Sequence, residues 1–153
     1  MSVVRVSARE AHELVCERGY VYLDVRAVPE FDTGHPPGAY NVPLLSPRAG
    51  GGMDENAQFL DEVRAALPAD AKLVVGCASG VRSQRASALL LEAGFRDVVE
   101  QRAGIDGVRD PFGRVREKGH RAEGLPLATR AEPGRSHAEI RAAARAGGAD
   151  RGR

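Results

Sequence analysis

The sequence predicts an α/β fold built on a parallel sheet, and three observations predict it. Short apolar runs such as Val21-Tyr22-Leu23 and Leu73-Val74-Val75 alternate with segments of helical spacing. The run Lys72 to Gly76 is apolar through its centre, which suits a strand covered on both faces. Gly19, Pro68 and Gly94 each stand where a helical segment should stop. The chain has 153 residues, 42% of them hydrophobic and 28% charged. That is the length of one domain, with enough apolar material for its core.

Each element follows in order. Val3 to Val6 alternates weakly and reads as a short strand. Ser7 is an N-cap with Glu10 three residues on, the spacing of a capping box, so a helix should run to about Arg18 and end at Gly19. Val21 to Val25 reads as a buried strand, Pro29 to Pro37 as loop, and Tyr40-Asn41-Val42 as a brief strand. Leu45 to Met53 reads as a loop made mobile by Gly50, Gly51 and Gly52. Glu55 to Leu67 has helical spacing, with Phe59, Val63, Ala66 and Leu67 on one side. Lys72 to Gly76 is a strand, Ser83 to Ala93 a helix, and Phe95 to Val99 another strand. Gly104 to Val108 begins a short helix that Pro111 interrupts, and Gly113 to His120 is polar and basic. From about Arg130 the chain is Ala, Gly and Arg, with Ile140 its one large apolar residue. The expectation is a domain over 1–130 and a disordered tail over 131–153, with transient helix near His137 to Ala146 and solvated arginines at 135, 141, 145, 151 and 153.

The formal net charge of +1 gives no support for nucleic-acid binding, which usually shows a basic excess on one face. The two cysteines, Cys16 and Cys77, are too few for a disulfide scaffold and lack metal-ligand spacing. No cofactor or metal is implied. The N-terminal residues show no signal pattern, and no run approaches the roughly 18 apolar residues of a membrane span. The reading is a soluble, cytoplasmic protein whose thiols stay reduced.

The chemistry concentrates in Gly76-Cys77-Ala78-Ser79-Gly80-Val81-Arg82-Ser83. A cysteine between a strand and a helix start meets loop amides and the positive end of the helix, both of which favour a thiolate. The thiolate is the nucleophile, so Cys77 is the candidate for covalent chemistry. Cys16 lies within the first helix and reads as a structural thiol.

Several stretches then resemble a known family. Leu23-Asp24-Val25-Arg26, Glu30-Phe31, Gly34-His35 and Gly38-Ala39 with Asn41 and Pro43 resemble the N-terminal signature of rhodanese domains. Cys77 to Ser83 resembles the active loop of the single-domain rhodaneses, Leu90 to Val98 the helix and strand after it, and Ala122 to Pro126 the end of the domain. The resemblance spans about residues 3 to 127. It implies a rhodanese-like three-layer fold, a central parallel sheet of about five strands with helices on both faces. It also implies a thiosulfate sulfurtransferase. The loop cysteine takes the sulfane sulfur of a small anionic donor as a persulfide and yields it to a thiol or cyanide acceptor. Departures are Pro36-Pro37 after Gly-His, Ala103-Gly104 where a glycine pair is usual, the absence of tryptophan, and an insertion over 106–120.

On this reading Cys77 carries the sulfur, and the amides of Ala78, Ser79, Gly80, Val81, Arg82 and Ser83 cradle it. Ser79 and Ser83 donate hydroxyl hydrogen bonds, Arg82 holds the thiolate and attracts the donor, and Arg26 is a candidate to reach the donor. Asp24 reads as structural and His35 as a loop-fixing residue. Two alternatives stand beside this one. One is a sulfur-relay module served by a partner protein. The other is a cysteine phosphatase or arsenate reductase, whose loop in the phosphatase relatives is one residue longer to admit a tetrahedral oxyanion.

Overall fold

The computed structural model describes residues 3–151. The strands β1 (Val4–Val6), β2 (Val21–Asp24) and β3 (Tyr40–Asn41) form early in the chain. Two later ones, which we number β6 (Lys72–Gly76) and β7 (Asp97–Gln101), complete a five-stranded sheet in the order β1-β7-β6-β2-β3. Every pairing in it is parallel. The helices are α1 (Ala8–Glu17), α2 (Val28–Asp32), α3 (Phe59–Ala66), α4 (Val81–Glu92) and α5 (His137–Arg151).

Alternation along the strands divides the core. Leu23, Leu73, Val75 and Val98 join Phe59, Val63, Leu90 and Ile140 in one buried cluster, so α3, α4 and α5 cover that face. Tyr22, Val74 and Val99 join Ala11, Leu14 and Phe31 in the other, under α1 and α2. The expected α/β fold with helices on both faces is therefore present. So is the capping box, in which Ser7 Oγ accepts from the Glu10 amide at 3.0 Å and the Glu10 carboxylate accepts from the Ser7 amide at 2.9 Å.

Four stretches differ from expectation. Within Pro29 to Pro37, expected as loop, α2 forms because proline is tolerated in a first helical turn, and Glu30 accepts from the Ala27 amide at 3.2 Å. Leu45 to Met53 belongs to an antiparallel hairpin of β4 (Leu45–Pro47) and β5 (Met53–Glu55), turned by glycines at positive φ. Gly104 to Val108 starts no helix. It leads into a second hairpin, β8 (Val108–Arg109) and β9 (Val115–Glu117), whose turn is tied by the Asp110 carboxylate accepting from the amides of Phe112 and Arg114, both at 2.9 Å. This hairpin lies within 106–120, the stretch expected to be an insertion.

The fourth difference is the segment expected to be a disordered tail. Ile140 on α5 is 2% exposed and sits in the main core, and α5 packs along α3. Polar contacts fix the pairing. Glu62 of α3, itself buried, accepts from Arg141 Nε at 2.9 Å and Asn56 Nδ2 at 2.6 Å, and lies 3.1 Å from His137 Nε2. Arg135 donates to the Gly38 carbonyl at 2.8 Å and stacks over Tyr40. Of the five tail arginines, 135 and 141 are thus structural and Arg145 is exposed, while the side chains of Arg151 and Arg153 lie outside the described residues.

Burial works against the Glu62 carboxylate, yet donation from Asn56, Arg141 and His137 outweighs it and holds the group below the usual carboxylate range. The unfolded chain then binds this proton more readily than the folded one. Stability from Glu62 is present above the ordinary carboxylate value and is lost as the pH falls through the lower folded value. Thermal melts between neutrality and about pH 3 should show this. The native chain is expected to lose stability more steeply than Glu62→Gln, the two curves converging in acid.

Candidate active site

Cys77 follows β6, the central strand, at the carboxyl edge of the sheet, where open α/β folds hold their ligands. The approach to it is built from small residues. A Cβ at Gly76 would stand 1.9 Å from the Tyr22 hydroxyl, so no larger residue fits there without moving the ring. Gly80 caps α4 with φ +91°, and a Cβ on it would lie 2.3 Å from the Arg102 carbonyl oxygen. The loop is also held from behind. The amides of Ile105 and Asp106 donate to the carbonyls of Cys77 and Ala78, both at 2.9 Å. Gly104 allows this approach, and Gln101 fixes it by accepting from the Ala103 and Gly104 amides.

This folding turns the start of α4 onto the sulfur. The Gly80 amide donates to Cys77 Sγ at 3.1 Å and the Ser83 amide at 3.4 Å, and Ser83 Oγ lies 3.3 Å away. Cys77 is 1% exposed, so its sulfur is enclosed by these donors and the loop. The Ala78 and Ser79 amides make no backbone hydrogen bond among the described residues. Ser79 and Gly80 border an open cleft of about 380 Å³, whose other walls carry Arg5, Arg102 and Arg116. Glu117 lines the same cleft and pairs with Arg102, and Arg5 pairs with Glu100.

The charged residues take places the sequence did not give them. Arg82 points to Glu30 on α2, bidentate at 2.6 and 2.8 Å. Arg82's hydrogen bonds outweigh burial and hold the Glu30 carboxyl below the usual range, and the same pair raises Arg82 further. Among the described residues Arg82 thus pairs with Glu30 and makes no hydrogen bond to Cys77. Arg26 is buried and spends its donors on Asp24 (2.8 and 3.0 Å) and the Gly34 carbonyl (2.7 Å). That geometry gives it a framework role instead of a reach toward a donor. His35 stacks on Phe31 and lies between the carbonyls of Phe31 and Arg130, which fixes the loop. Cys16 is exposed on α1.

Sequence reasoning quoted Glu30 in a motif without assigning its partner, and missed Glu100 and Arg5, which form an ion pair at 2.6 Å behind Ser83. The glycine at 80 gives a direct test. Gly80→Ala must displace the Arg102 carbonyl or the loop, and a misplacement near 1 Å costs about 10²-fold in rate. Iodoacetamide labelling of Cys77 in this variant is expected to lose its dependence on the loop amides and to slow accordingly.

A family model described as the rhodanese-like domain matches residues 7–110. The chain is 44% identical over 93 residues to thiosulfate sulfurtransferase 16, chloroplastic, of Arabidopsis thaliana, covering 61% of this chain and 76% of that one. It is 44% identical over 95 residues to senescence-associated protein DIN1 of Raphanus sativus, covering 62% of this chain and 51% of the relative. The solved structure of Rv0390 from M. tuberculosis matches with a TM-score of 0.70 at 27% identity, over 85% of this chain and all of that one. A thiosulfate sulfurtransferase from Pseudomonas aeruginosa shares the fold at a TM-score of 0.59 and 23% identity, over 93% of this chain and 23% of that one. With five parallel strands, a cysteine at the head of the central one and this spread of relatives, the chain belongs to the rhodanese-like domain family.

Proposed function

We propose that the protein is a sulfurtransferase that moves a sulfane sulfur from thiosulfate, or a donor of the same anionic type, to a thiophilic acceptor through a persulfide on Cys77. The observation that carries this reading is the convergence of the Gly80 and Ser83 amides on Cys77 Sγ at the N-terminus of α4. Amide dipoles and the helix end stabilise the negative charge that the sulfur carries as the persulfide forms.

In the forward half-reaction Cys77 Sγ attacks the outer sulfur of thiosulfate. The new S–S bond forms as the donor's S–S bond breaks, and sulfite leaves with the electron pair. An acceptor nucleophile then attacks the outer sulfur and returns the pair to Sγ. The Ala78 and Ser79 amides supply further donors for the outer sulfur. Arg116, on the wall of the cleft beside Ser79 and Gly80, favours an anion there. Four residues separate Cys77 from Arg82, one fewer than in the phosphatase relatives, and this shorter loop supports sulfur over a tetrahedral phosphate. A reduced thiol suits a reducing compartment such as the cytosol. Among the described residues no helix is long and apolar enough to cross a membrane.

The test is intact mass after exposure to thiosulfate, with and without a reductant, beside thiocyanate production from thiosulfate and cyanide. A reducible gain of one sulfur atom on Cys77 together with thiocyanate is expected. Neither appearing would overturn the proposal. Loading with slow thiosulfate turnover, but fast transfer from a protein persulfide, would move the assignment to a sulfur relay.

A further inference from the structure

Glu100 stands behind the loop on β7, fully buried. Its Oε1 accepts from Arg5 Nε at 2.6 Å and its Oε2 from the Ser83 hydroxyl at 2.5 Å. The same Ser83 Oγ lies 3.3 Å from Cys77 Sγ. A serine hydroxyl has one hydrogen and two lone pairs. With that hydrogen on Glu100, Ser83 presents a lone pair to Cys77, and the thiol S–H is the donor. Hydrogen bonds therefore run in one direction, from Cys77 to Ser83 to Glu100, with Arg5 anchoring the far end.

Charge sets what this line can do. A thiolate at 77 and a carboxylate at 100 would be two anions separated by one hydroxyl in a water-poor interior, and like charges so placed disfavour each other. The surrounding groups do not neutralise both. Arg5 from β1 pairs directly with Glu100, and Arg102, the residue after β7, adds its field but is itself paired with Glu117. On the Cys77 side Arg82 from α4 is held by Glu30, and Asp24 with Arg26 is an internally balanced pair. The Tyr22 phenol from β2 stays protonated, because burial pushes its ionisation far up. A thiolate at 77 would thus have no cation of its own and would face the Glu100 carboxylate across one hydroxyl, while Glu100 has Arg5 as its partner.

We propose that Glu100, acting through Ser83, is the proton acceptor for Cys77, so that negative charge passes from Glu100 to the sulfane sulfur as the persulfide forms. This rests on the sulfurtransferase reading above. The step balances as follows. Sγ bonds to the outer sulfur of thiosulfate, and sulfite departs with the electron pair. The Sγ proton passes to Ser83 Oγ, and the Ser83 proton passes to Glu100 Oε2. The products are a persulfide anion and a neutral Glu100 carboxyl. When the acceptor takes the outer sulfur, Sγ keeps the electron pair and recovers its proton along the same line. No oxidant or reductant enters. Glu100 touches neither donor nor acceptor, so it is a positioning residue.

The experiment uses the full chain and two arms. In the first, infrared difference spectra are taken between thiosulfate-loaded and reduced protein, with loading verified by intact mass. The carbonyl band of a protonated carboxylic acid is expected on loading. It should be absent from Glu100→Gln, and also from Ser83→Ala, which keeps the Glu100–Arg5 pair. In the second arm, iodoacetamide labelling of Cys77 is followed against pH and needs no sulfur donor. Removing the carboxylate leaves the thiolate unopposed, so Glu100→Gln is expected to label faster than the native chain near neutrality. Wild-type protein that gains one sulfur without the carboxyl band would overturn the relay while leaving the sulfurtransferase reading intact. A labelling rate unchanged in Glu100→Gln would overturn the coupling between Cys77 and Glu100. Absence of any sulfur gain would instead sink the sulfurtransferase reading, and the labelling arm would still decide whether Cys77 and Glu100 are coupled.

Discussion

Replacing Cys77 by Ser is expected to abolish sulfur transfer, lowering thiocyanate production by at least about 10³-fold, while the folded chain survives. The substitution changes one atom. The Gly80 and Ser83 amides still find an acceptor, so the loop keeps its shape. The hydroxyl does not ionise near neutrality and forms no persulfide, so the covalent step disappears. The melting temperature is expected to move by less than about 5 °C, which separates lost chemistry from lost structure. Cys16 supplies the internal control, because it is the other cysteine of the chain and is exposed on α1. Cys16→Ser is expected to retain full turnover. Retention of activity by Cys77→Ser, with loss in Cys16→Ser, would reverse the assignment.

The second large effect falls on stability. Arg26→Leu is expected to cost about 3–5 kcal/mol, because it leaves the Asp24 carboxylate buried without its cation. For a chain of this size that corresponds to a drop of roughly 6–20 °C in melting temperature. The loss should reach the active site as well. Arg26 also donates to the Gly34 carbonyl, and the Asn41 amide nitrogen donates to the carbonyls of Asp24 and Arg26. These bonds set the turn from β2 into α2, which in turn aims Glu30 at Arg82. Urea unfolding and turnover should therefore fall together. The double replacement Asp24→Leu with Arg26→Leu should recover part of the stability, since no buried charge is then left unpaired. A single variant as stable as the native chain would show that the pair contributes nothing net.

Elements governed by local chemistry were legible in the sequence. Ser7 with Glu10 announces α1, and the unbroken apolar centre of Lys72 to Gly76 announces β6 and with it the position of Cys77. The motifs around Asp24, Gly34 and Cys77 point to the rhodanese-like fold. What stayed hidden depends on partners distant in the chain. Helix α5 offers one apolar anchor, Ile140, and its other ties run to a buried carboxylate 75 and 79 positions away. Proline 29 looks like a loop marker until the Glu30 carboxylate closes the first turn of α2. Arg82 reads as a ligand for the thiolate until Glu30 is seen opposite it, a contact separated by 52 positions. Glu100 reads as a polar residue just past the strand Phe95 to Val99, and only the sheet order, which sets β7 beside β6 with α4 packed on it, brings it behind Ser83.

The packing of α5 has a consequence for how the chain is made. Phe59 and Val63 share their cluster with Ile140, which emerges from the ribosome more than seventy residues later. During translation the α3 face therefore waits bare, with the Glu62 carboxylate awaiting His137 and Arg141. Nascent chains are exposed to sticking at such a moment. Synthesis stalled at residue 130 should yield a product that chaperones retain, whereas one arrested past Arg141 should be released folded.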